Sequence, residues 1–296
     1  MVYMTEDKMS RNNTNSKYHA HIDSSHSLLD FKLGELLQYK DLIWLYTKKD
    51  LVRRYKQTIL GPLWILIHPI FNTLIYAFLF GGIAGMSTAG APQILFYMAG
   101  NSIWTFFATS VNKCSNTFLS TSGVFGKVYF PRLAIPCSYV LTACFEYLIH
   151  LCILVLFCLF YSFTGVYSIS FVSWLTLPLL MIWLSMLGIG IGLIIASTTA
   201  KYRDLIYLLP FMVNRWMYAT PVVYPLSSAM DKHAIIRFIM MLNPATAPIE
   251  MYRTAILGVG SVPVWNIIYS ICFSVIVLLV GIILFNKVER TVIDTI

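Results

Sequence analysis

A basic segment gives way to a long uncharged one near residue 60, and this boundary limits the possible folds more than any other feature. Residues 65–80 contain no Asp, Glu, Lys or Arg, whereas the residues just before the boundary are rich in basic side chains, namely Lys48, Lys49, Arg53, Arg54 and Lys56. Basic groups favour the anionic surface of a bilayer, and an uncharged apolar stretch favours its interior. The sequence therefore predicts a helix that enters a membrane near Pro62, since proline suits the first turn of a helix.

The composition of the whole chain agrees with this reading. Apolar residues make up 58% and charged residues 11%, whereas a soluble domain carries about a quarter charged residues. The net charge of +8 does not indicate a nucleic-acid partner, because most basic residues flank apolar stretches and are explained by orientation in the bilayer. We therefore predict an all-α integral membrane protein.

Six apolar stretches are long enough to cross roughly 30 Å of hydrocarbon as helices. They cover residues 62–82, 94–111, 137–161, 174–196, 205–224 and 264–285. Two shorter pieces, 235–242 and 247–257, cannot cross and are predicted as re-entrant or gate helices before the last span. Residues 35–57 interleave apolar and charged side chains, which predicts an amphipathic helix in the interface plane.

The chain divides into four regions on these patterns. We expect a disordered cytosolic tail at 1–30, an amphipathic interface helix at 31–58, a six-span transmembrane domain at 59–290 and a cytosolic C-terminus at 291–296. If the tail is cytosolic, 17 of the 21 Lys and Arg residues lie on the inner side and three on the outer side. This imbalance predicts a multi-pass protein with both termini in the cytosol.

No catalytic, cofactor or metal site emerges from the motifs. Residues 123–127 resemble a phosphate loop, but Val128 follows Lys127 where a P-loop requires Ser or Thr. We therefore predict that the chain is not an enzyme and does not hydrolyse ATP itself. Gly188 and Gly192 form a GxxxG pattern, which predicts a close helix–helix contact.

Three ionisable side chains fall inside predicted spans, where such groups are costly and mark a pair or a cavity. Glu146 and His150 are four residues apart on one face of the third span, and Arg215 lies within the fifth. They predict a structural pair of Glu146 with Arg215. The alternative is a proton relay. A relay usually has carboxylates in several spans, and this chain has one.

Aromatic residues reach 15% of the chain and crowd the second and fifth spans. Rings that face lipid or the interface would explain them. The alternative is a channel lined by aromatic faces, against which sugar rings stack. Its candidate residues are Tyr97, Trp104, Tyr218 and Tyr224.

Five separated motifs resemble the permease subunits of ABC transporters that export polysaccharides or polyol phosphates, such as O-antigen, capsule and teichoic acid. They are RYKQTILGPLW (54–64), GKVYFPRL (126–133), KYRD (201–204), ATPVVYP (219–225) and NP (243–244). The likeness covers roughly residues 35–290. It implies a homodimer paired with two copies of a separate ABC ATPase that binds ATP and Mg²⁺, in a bacterial inner membrane. The substrate implied is a lipid-linked glycan, with O-antigen as the first expectation.

The resemblance also assigns roles to particular segments. Residues 123–136 would form the coupling helix that meets the ATPase, and residues 228–258 would form gate helices at the periplasmic mouth. The predicted coupling residues are Arg53, Arg54, Lys127, Tyr129, Phe130 and Arg132. The rival function is an ion- or proton-coupled secondary transporter that uses Glu146, His150 and Arg215, and a membrane glycosyl- or acyltransferase is a weaker third.

Overall fold

The computed structural model describes residues 33–56, 58–120, 130–167, 171–230 and 234–293, and every regular element among them is helical. The predicted tail at 1–30 and residues 123–129 of the predicted coupling helix lie outside the described residues, so the four predicted regions stay predictions. The all-α prediction is confirmed.

The helices follow one another with short connections. They are α1 (Leu33–Gln38), α2 (Lys40–Tyr55), α3 (Trp64–Tyr76), α4 (Gln93–Ser115), α5 (Thr117–Ser120), α6 (Ala134–Phe163), α7 (Phe171–Trp174), α8 (Leu177–Thr199), α9 (Leu205–Trp216), α10 (Leu226–Met230), α11 (Ala234–Leu242), α12 (Thr246–Leu257) and α13 (Val264–Ile293). A 3₁₀ turn (Gly61–Leu63) precedes α3 and a π-helical segment (Ala77–Ile83) continues it. Pro62 stands in that first turn, as predicted.

Five helical segments are long and apolar enough to cross a bilayer. They are Gly61–Ile83, Gln93–Ser115, Ala134–Phe163, Leu177–Thr199 and Val264–Glu289. The predicted fifth span at 205–224 is too long, because α9 has 12 residues and a 3₁₀ turn (Met217–Ala219) ends it. That length rises about 24 Å, less than the roughly 30 Å of a hydrocarbon core. The extended backbone at Thr220 starts the non-helical part of this segment.

Helix α8 packs closely against two neighbours through glycines on opposite faces. A Cβ at Gly188 would lie 3.1 Å from the Cβ of Ser110, and one at Gly192 would lie 2.4 Å from the Cβ of Cys114, both on α4. On the other face, a Cβ at Gly190 would lie 2.7 Å from the backbone nitrogen of Leu278 on α13. The predicted GxxxG contact is therefore the seam between α8 and α4.

Helix α2 lies along α6. The Thr47 hydroxyl donates to the Ile43 carbonyl at 2.8 Å and lies 3.3 Å from the Ser138 carbonyl on α6, and the Trp44 ring lies 5.6 Å from the Phe145 ring. Leu45 and Val52 keep exposed apolar side chains. This distribution suits a helix that rests on the other helices and also meets the bilayer interface.

Of the two predicted short helices, α12 belongs to the core. Ala247, Ile249, Tyr252 and Ile256 are buried, and the Tyr252 hydroxyl lies 3.1 Å from the Tyr147 hydroxyl on α6. Helix α11 instead keeps an exposed apolar face, which includes Ile235 and Phe238. Of the two short helices, α12 therefore packs inside the helical domain, whereas α11 lies at its surface.

The seam between α8 and α4 gives a test of the packing. We expect Gly192→Ala to destabilise the protein by about 1–3 kcal/mol, because the new methyl group would overlap Cys114. The measurement is the thermal unfolding temperature of the purified protein in detergent. Gly82→Ala is the control, since the nearest atom to its Cβ is 3.9 Å away. Equal unfolding temperatures for the two variants would contradict the close contact.

Candidate functional site

A fully buried ion pair on α12 organises the region of short helices that precedes the last span. Glu250 and Arg253 are 0% and 1% exposed, and the Arg253 Nη1 lies 2.6 Å from the Glu250 Oε2. The guanidinium carbon lies 4.0 Å from the centre of the Phe96 ring on α4, in a cation–π arrangement. Burial raises the pKa of the Glu250 carboxyl, and Arg253 opposes that shift.

Arg253 also holds the non-helical segment that follows α9. Its Nη2 donates to the carbonyl of Pro221 at 2.8 Å and to that of Val222 at 2.9 Å. The Glu250 carboxylate accepts from the backbone N–H of Leu226 at 3.3 Å. Carbonyls past a helix end have no helical partner and need one when buried, so the ion pair supplies partners to residues 221–226.

Helix α4 accepts this segment at a glycine. A Cβ at Gly100 would lie 2.3 Å from the Val222 carbonyl oxygen and 3.2 Å from the Arg253 Nη2. The motif at 219–225 therefore packs directly on the backbone of α4. The sequence predicted only a short re-entrant or gate helix at 247–257 and did not reveal this site, although opposite charges three residues apart in an apolar helix were a usable signal.

A second ionic network joins α2, α4 and α6. The Glu146 Oε2 lies 2.7 Å from the Arg54 Nη1 and its Oε1 lies 3.3 Å from the Lys113 Nζ. Lys113 also contacts Asp50 on α2 at 2.8 Å. The predicted pair of Glu146 with Arg215 is wrong, because Glu146 is satisfied by cations from α2 and α4.

Arg215 is exposed at the surface of the described chain, so its assignment as a buried charge is also wrong. Its guanidinium carbon lies 4.9 Å from the centre of the Phe211 ring, one turn earlier on α9. Tyr207, Phe211 and Tyr218 are exposed on the same helix and its continuation. These spacings of about four residues place them with Arg215 on one face.

Two of the four predicted channel residues lie in the core instead. Tyr97 and Trp104 are 1% and 3% exposed. The Trp104 ring lies 5.3 Å from that of Phe107 and 6.2 Å from that of Trp216, while Tyr97 packs on Phe80 and Phe96. Rings enclosed on both sides by other rings line no channel in this arrangement, so these two assignments are corrected.

The other two predicted channel residues adjoin open space. Tyr218 is 44% exposed, and the Tyr224 hydroxyl donates to its carbonyl at 2.9 Å. Tyr224 lines an apolar cavity of about 410 Å³ with Met86, Pro225 and Met240. Burial raises the pKa of Tyr224 to about 12.

The predicted coupling residues divide into three groups. Lys127 and Tyr129 lie outside the described residues. Phe130 is 6% exposed and packs in a cluster with Phe118, Ile135 and Phe285, so its prediction as a residue that contacts the ATPase is corrected. Arg132 is also buried and its Nε lies 3.6 Å from the Glu289 carboxylate, whereas Arg53 is exposed.

A cavity of about 490 Å³ lies between α3, α4 and α6. Its walls include Glu146 and His150 on α6, Asn72 on α3, and Thr105 and Thr109 on α4. Glu146 and His150 therefore share a face, as predicted, and that face borders this cavity. The described residues contain no group of three or more His, Cys, Asp and Glu side chains that could hold a metal ion.

Comparisons with known proteins give one family and several relatives. The ABC-2 type transporter family matches residues 41–257. A Klebsiella pneumoniae protein named O-antigen export system permease protein RfbA is 28% identical over 262 residues, which cover 88% of this chain and 96% of the relative. A Myxococcus xanthus protein of the same name is 26% identical over 220 residues, which cover 74% of this chain and 81% of the relative.

The buried pair on α12 gives a test that separates its two members. We expect Arg253→Met to destabilise the protein by about 3–5 kcal/mol, because it leaves the Glu250 carboxylate and two buried carbonyls without their donor. Glu250→Gln should cost less, since an amide can still accept from Arg253 and Leu226. Denaturant unfolding in detergent measures both.

The matched control is Arg237→Met, which removes an exposed arginine from α11. Its free energy of unfolding should stay within about 0.5 kcal/mol of that of the original chain, as is usual for surface substitutions. A cost for Arg237→Met equal to that for Arg253→Met would show that the carbonyl contacts contribute nothing.

Proposed function

The chain belongs to the ABC-2 type transporter family, and from this premise we propose that it is the membrane-spanning subunit of an ATP-driven exporter of lipid-linked O-antigen polysaccharide. The relatives that carry the O-antigen export name align with most of the chain. The working unit would be a homodimer with two copies of an ABC ATPase, which binds the ATP and Mg²⁺, in a bacterial inner membrane. Both termini of the chain would lie in the cytosol.

The observation that carries the proposal is the exposed polar and aromatic face of α9. The KYRD motif at 201–204 marks one membrane surface, and Arg215 lies eleven residues beyond its end, about 16 Å along a helix. That depth is near the middle of a hydrocarbon core of roughly 30 Å. An arginine and the adjacent exposed Asn214 are costly against lipid at this depth, so this face borders a wet pathway or a second copy of the chain.

The same face has the chemistry that suits a moving glycan. Tyr207, Phe211 and Tyr218 present exposed rings along this face, with Arg215 between the last two. Ring faces contact sugars in many orientations with modest energies, on the order of 1 kcal/mol each by analogy with other ring contacts. Weak repeated contacts allow a long chain to slide, whereas buried ionic groups would fix its register. The proposed channel wall is therefore this face of α9, with Tyr224 near its outer end.

The ATPase would act through the segment before α6 and through α2. Lys127 and Tyr129 are the proposed contact residues, and Arg53 adds an exposed cation on α2. Phe130 and Arg132 would instead anchor the segment, because they are buried against α13 and its neighbours. Arg54 links α2 to α6 through its ion pair with Glu146. A displacement of α2 by the ATPase would therefore be transmitted to the membrane helix α6.

The secondary-transporter alternative loses its main support in this arrangement. It requires Glu146, His150 and Arg215 to act together, but Glu146 is paired with Arg54 and Lys113, and Arg215 is exposed over Phe211. The three side chains therefore do not form the connected series that a relay through the membrane requires.

The channel wall can be tested by the length of glycan that reaches the cell surface. In cells that lack the chain we expect no surface glycan, and the original gene should restore it. Phe211→Ala or Tyr218→Ala should restore short glycans but reduce the longest ones several-fold. Each sugar unit that passes the altered position loses one contact, so the effect grows with the number of units. Gel analysis of the surface polysaccharide measures the length distribution.

Phe160→Ala is the matched control, because Phe160 is an aromatic residue that is 62% exposed on α6, away from the α9 face in the sequence. It should give the original length distribution. Normal surface glycan in cells without the chain would refute the proposed function, and equal distributions for the α9 and α6 variants would refute only the channel wall.

Coupling can be tested on the purified complex. A tagged chain should co-purify with an ABC ATPase in equal amounts, and Lys127→Ala with Tyr129→Ala should abolish the stimulation of ATP hydrolysis by the glycan. The membrane fold should survive, because the buried Phe130 is left intact. Lys201→Ala, at a different exposed cation, is the control, and full stimulation in the double variant would remove the coupling assignment.

A further inference from the structure

Three membrane helices each turn a pair of polar side chains, one helical turn apart, toward the cavity of about 490 Å³. The pairs are His68 and Asn72 on α3, Thr105 and Thr109 on α4, and Glu146 and His150 on α6. Residues four apart share a helix face. One pair could arise by chance, but three that converge on the same space indicate a constructed polar site.

Several of these groups have no protein partner. Among the described residues, no hydrogen bond is made by the side chains of Asn72, Thr105 and Thr109. The Nδ1 atom of His150, a residue only 7% exposed, is also without a partner there. By contrast, Ser102 and Ser110 on α4 donate to the Ala99 and Phe106 carbonyls of their own helix.

Asn72, Thr105 and Thr109 are half-buried in the cavity wall and His150 is buried. The contrast matters because a polar group held away from bulk water without a partner costs free energy. Helical hydroxyls in membranes are normally satisfied by a carbonyl one turn back, as Ser110 is. Two threonines in the cavity wall that forgo this bond therefore leave their hydroxyls available to something inside the cavity. A ligand that donates and accepts hydrogen bonds would satisfy them together with Asn72 and His150.

The charges around the cavity indicate that this ligand is neutral. Arg54 and Lys113 are balanced by Glu146 and Asp50 in one network, so no net positive charge is left to attract a phosphate. The remaining groups include both donors and acceptors. Trp64, 46% exposed at the cavity wall, adds an indole face of the kind on which the C–H face of a sugar ring stacks.

We propose that this cavity is a binding site for one neutral sugar unit of the transported glycan. The proposal rests on the proposed function for its ligand class, and it adds a site within a single chain, apart from the α9 face. The sugar would stack on Trp64 while its hydroxyls bond Asn72, Thr105, Thr109 and the Nδ1 of His150.

The test uses the full-length chain in lipid nanodiscs and oligosaccharides released by mild acid from the surface glycan of the same cells. Saturation-transfer NMR titration measures binding. We expect Thr105→Val with Thr109→Val to weaken binding about tenfold, the effect of losing two hydrogen bonds. The unfolding temperature should not fall, because neither hydroxyl bonds the protein. Asn72→Leu repeats the test from another helix.

Ser110→Ala is the matched control, since its hydroxyl is on α4 but bonds Phe106, and it should bind like the original chain. Unchanged binding in both cavity variants, no binding by the original chain, or displacement of the sugar by sodium pyrophosphate would each overturn the proposal. If these outcomes occur while cells without the chain still lose surface glycan, only the cavity assignment fails. Surface glycan that persists without the chain would instead refute the proposed function.

Discussion

The absence of water in the hydrocarbon core is the constraint on which the rest of this structure depends. Each buried donor or acceptor there must find a partner within the protein, and Arg253 shows how far the chain goes to meet that requirement. One guanidinium serves a carboxylate, two carbonyls and an aromatic face. By doing so it allows residues 220–226 to leave the helical conformation while buried. The short helices that follow can then fold back into the membrane domain instead of continuing out of it.

The same constraint explains why small residues mark the helix contacts. Lipid tails are as apolar as leucine, so helices gain little by hiding apolar side chains from them and associate through close packing. Gly188 and Gly192 bring α8 onto α4, Gly190 brings it onto α13, and Gly100 brings α4 onto the Val222 carbonyl. These glycines connect the central helices in one continuous series, which links the buried ion pair on α12 to the last span.

The length and charge pattern of the sequence predicted the five long membrane helices, because those properties depend on local composition alone, but it also predicted a sixth span at 205–224 that the structure does not contain among its described residues. It failed wherever the answer depended on the direction in which a helix face points. Glu146 and Arg215 have suitable depths for a pair, but Glu146 faces α2 and α4, and Arg215 faces outward. Tyr97 and Trp104 are seven residues apart and share a face, as predicted, yet that face points to the core. Rotation about a helix axis is set by packing between helices, which no single segment encodes.

The fate of each polar group in the membrane domain then separates structural from functional roles. Glu250 and Arg253 bond each other and the neighbouring backbone, and Glu146 is paired with two cations, so each of these charges has its counter-charge within the chain. Arg215 on α9 and the hydroxyls of Thr105 and Thr109 are different, since they face a surface or a cavity that lipid cannot satisfy. Apolar residues would be less costly at these positions if the positions faced only lipid or a dry core. That polar residues stand there instead is the physical basis of our proposals that the exposed face of α9 and the cavity between α3, α4 and α6 contact a hydroxyl-bearing substrate.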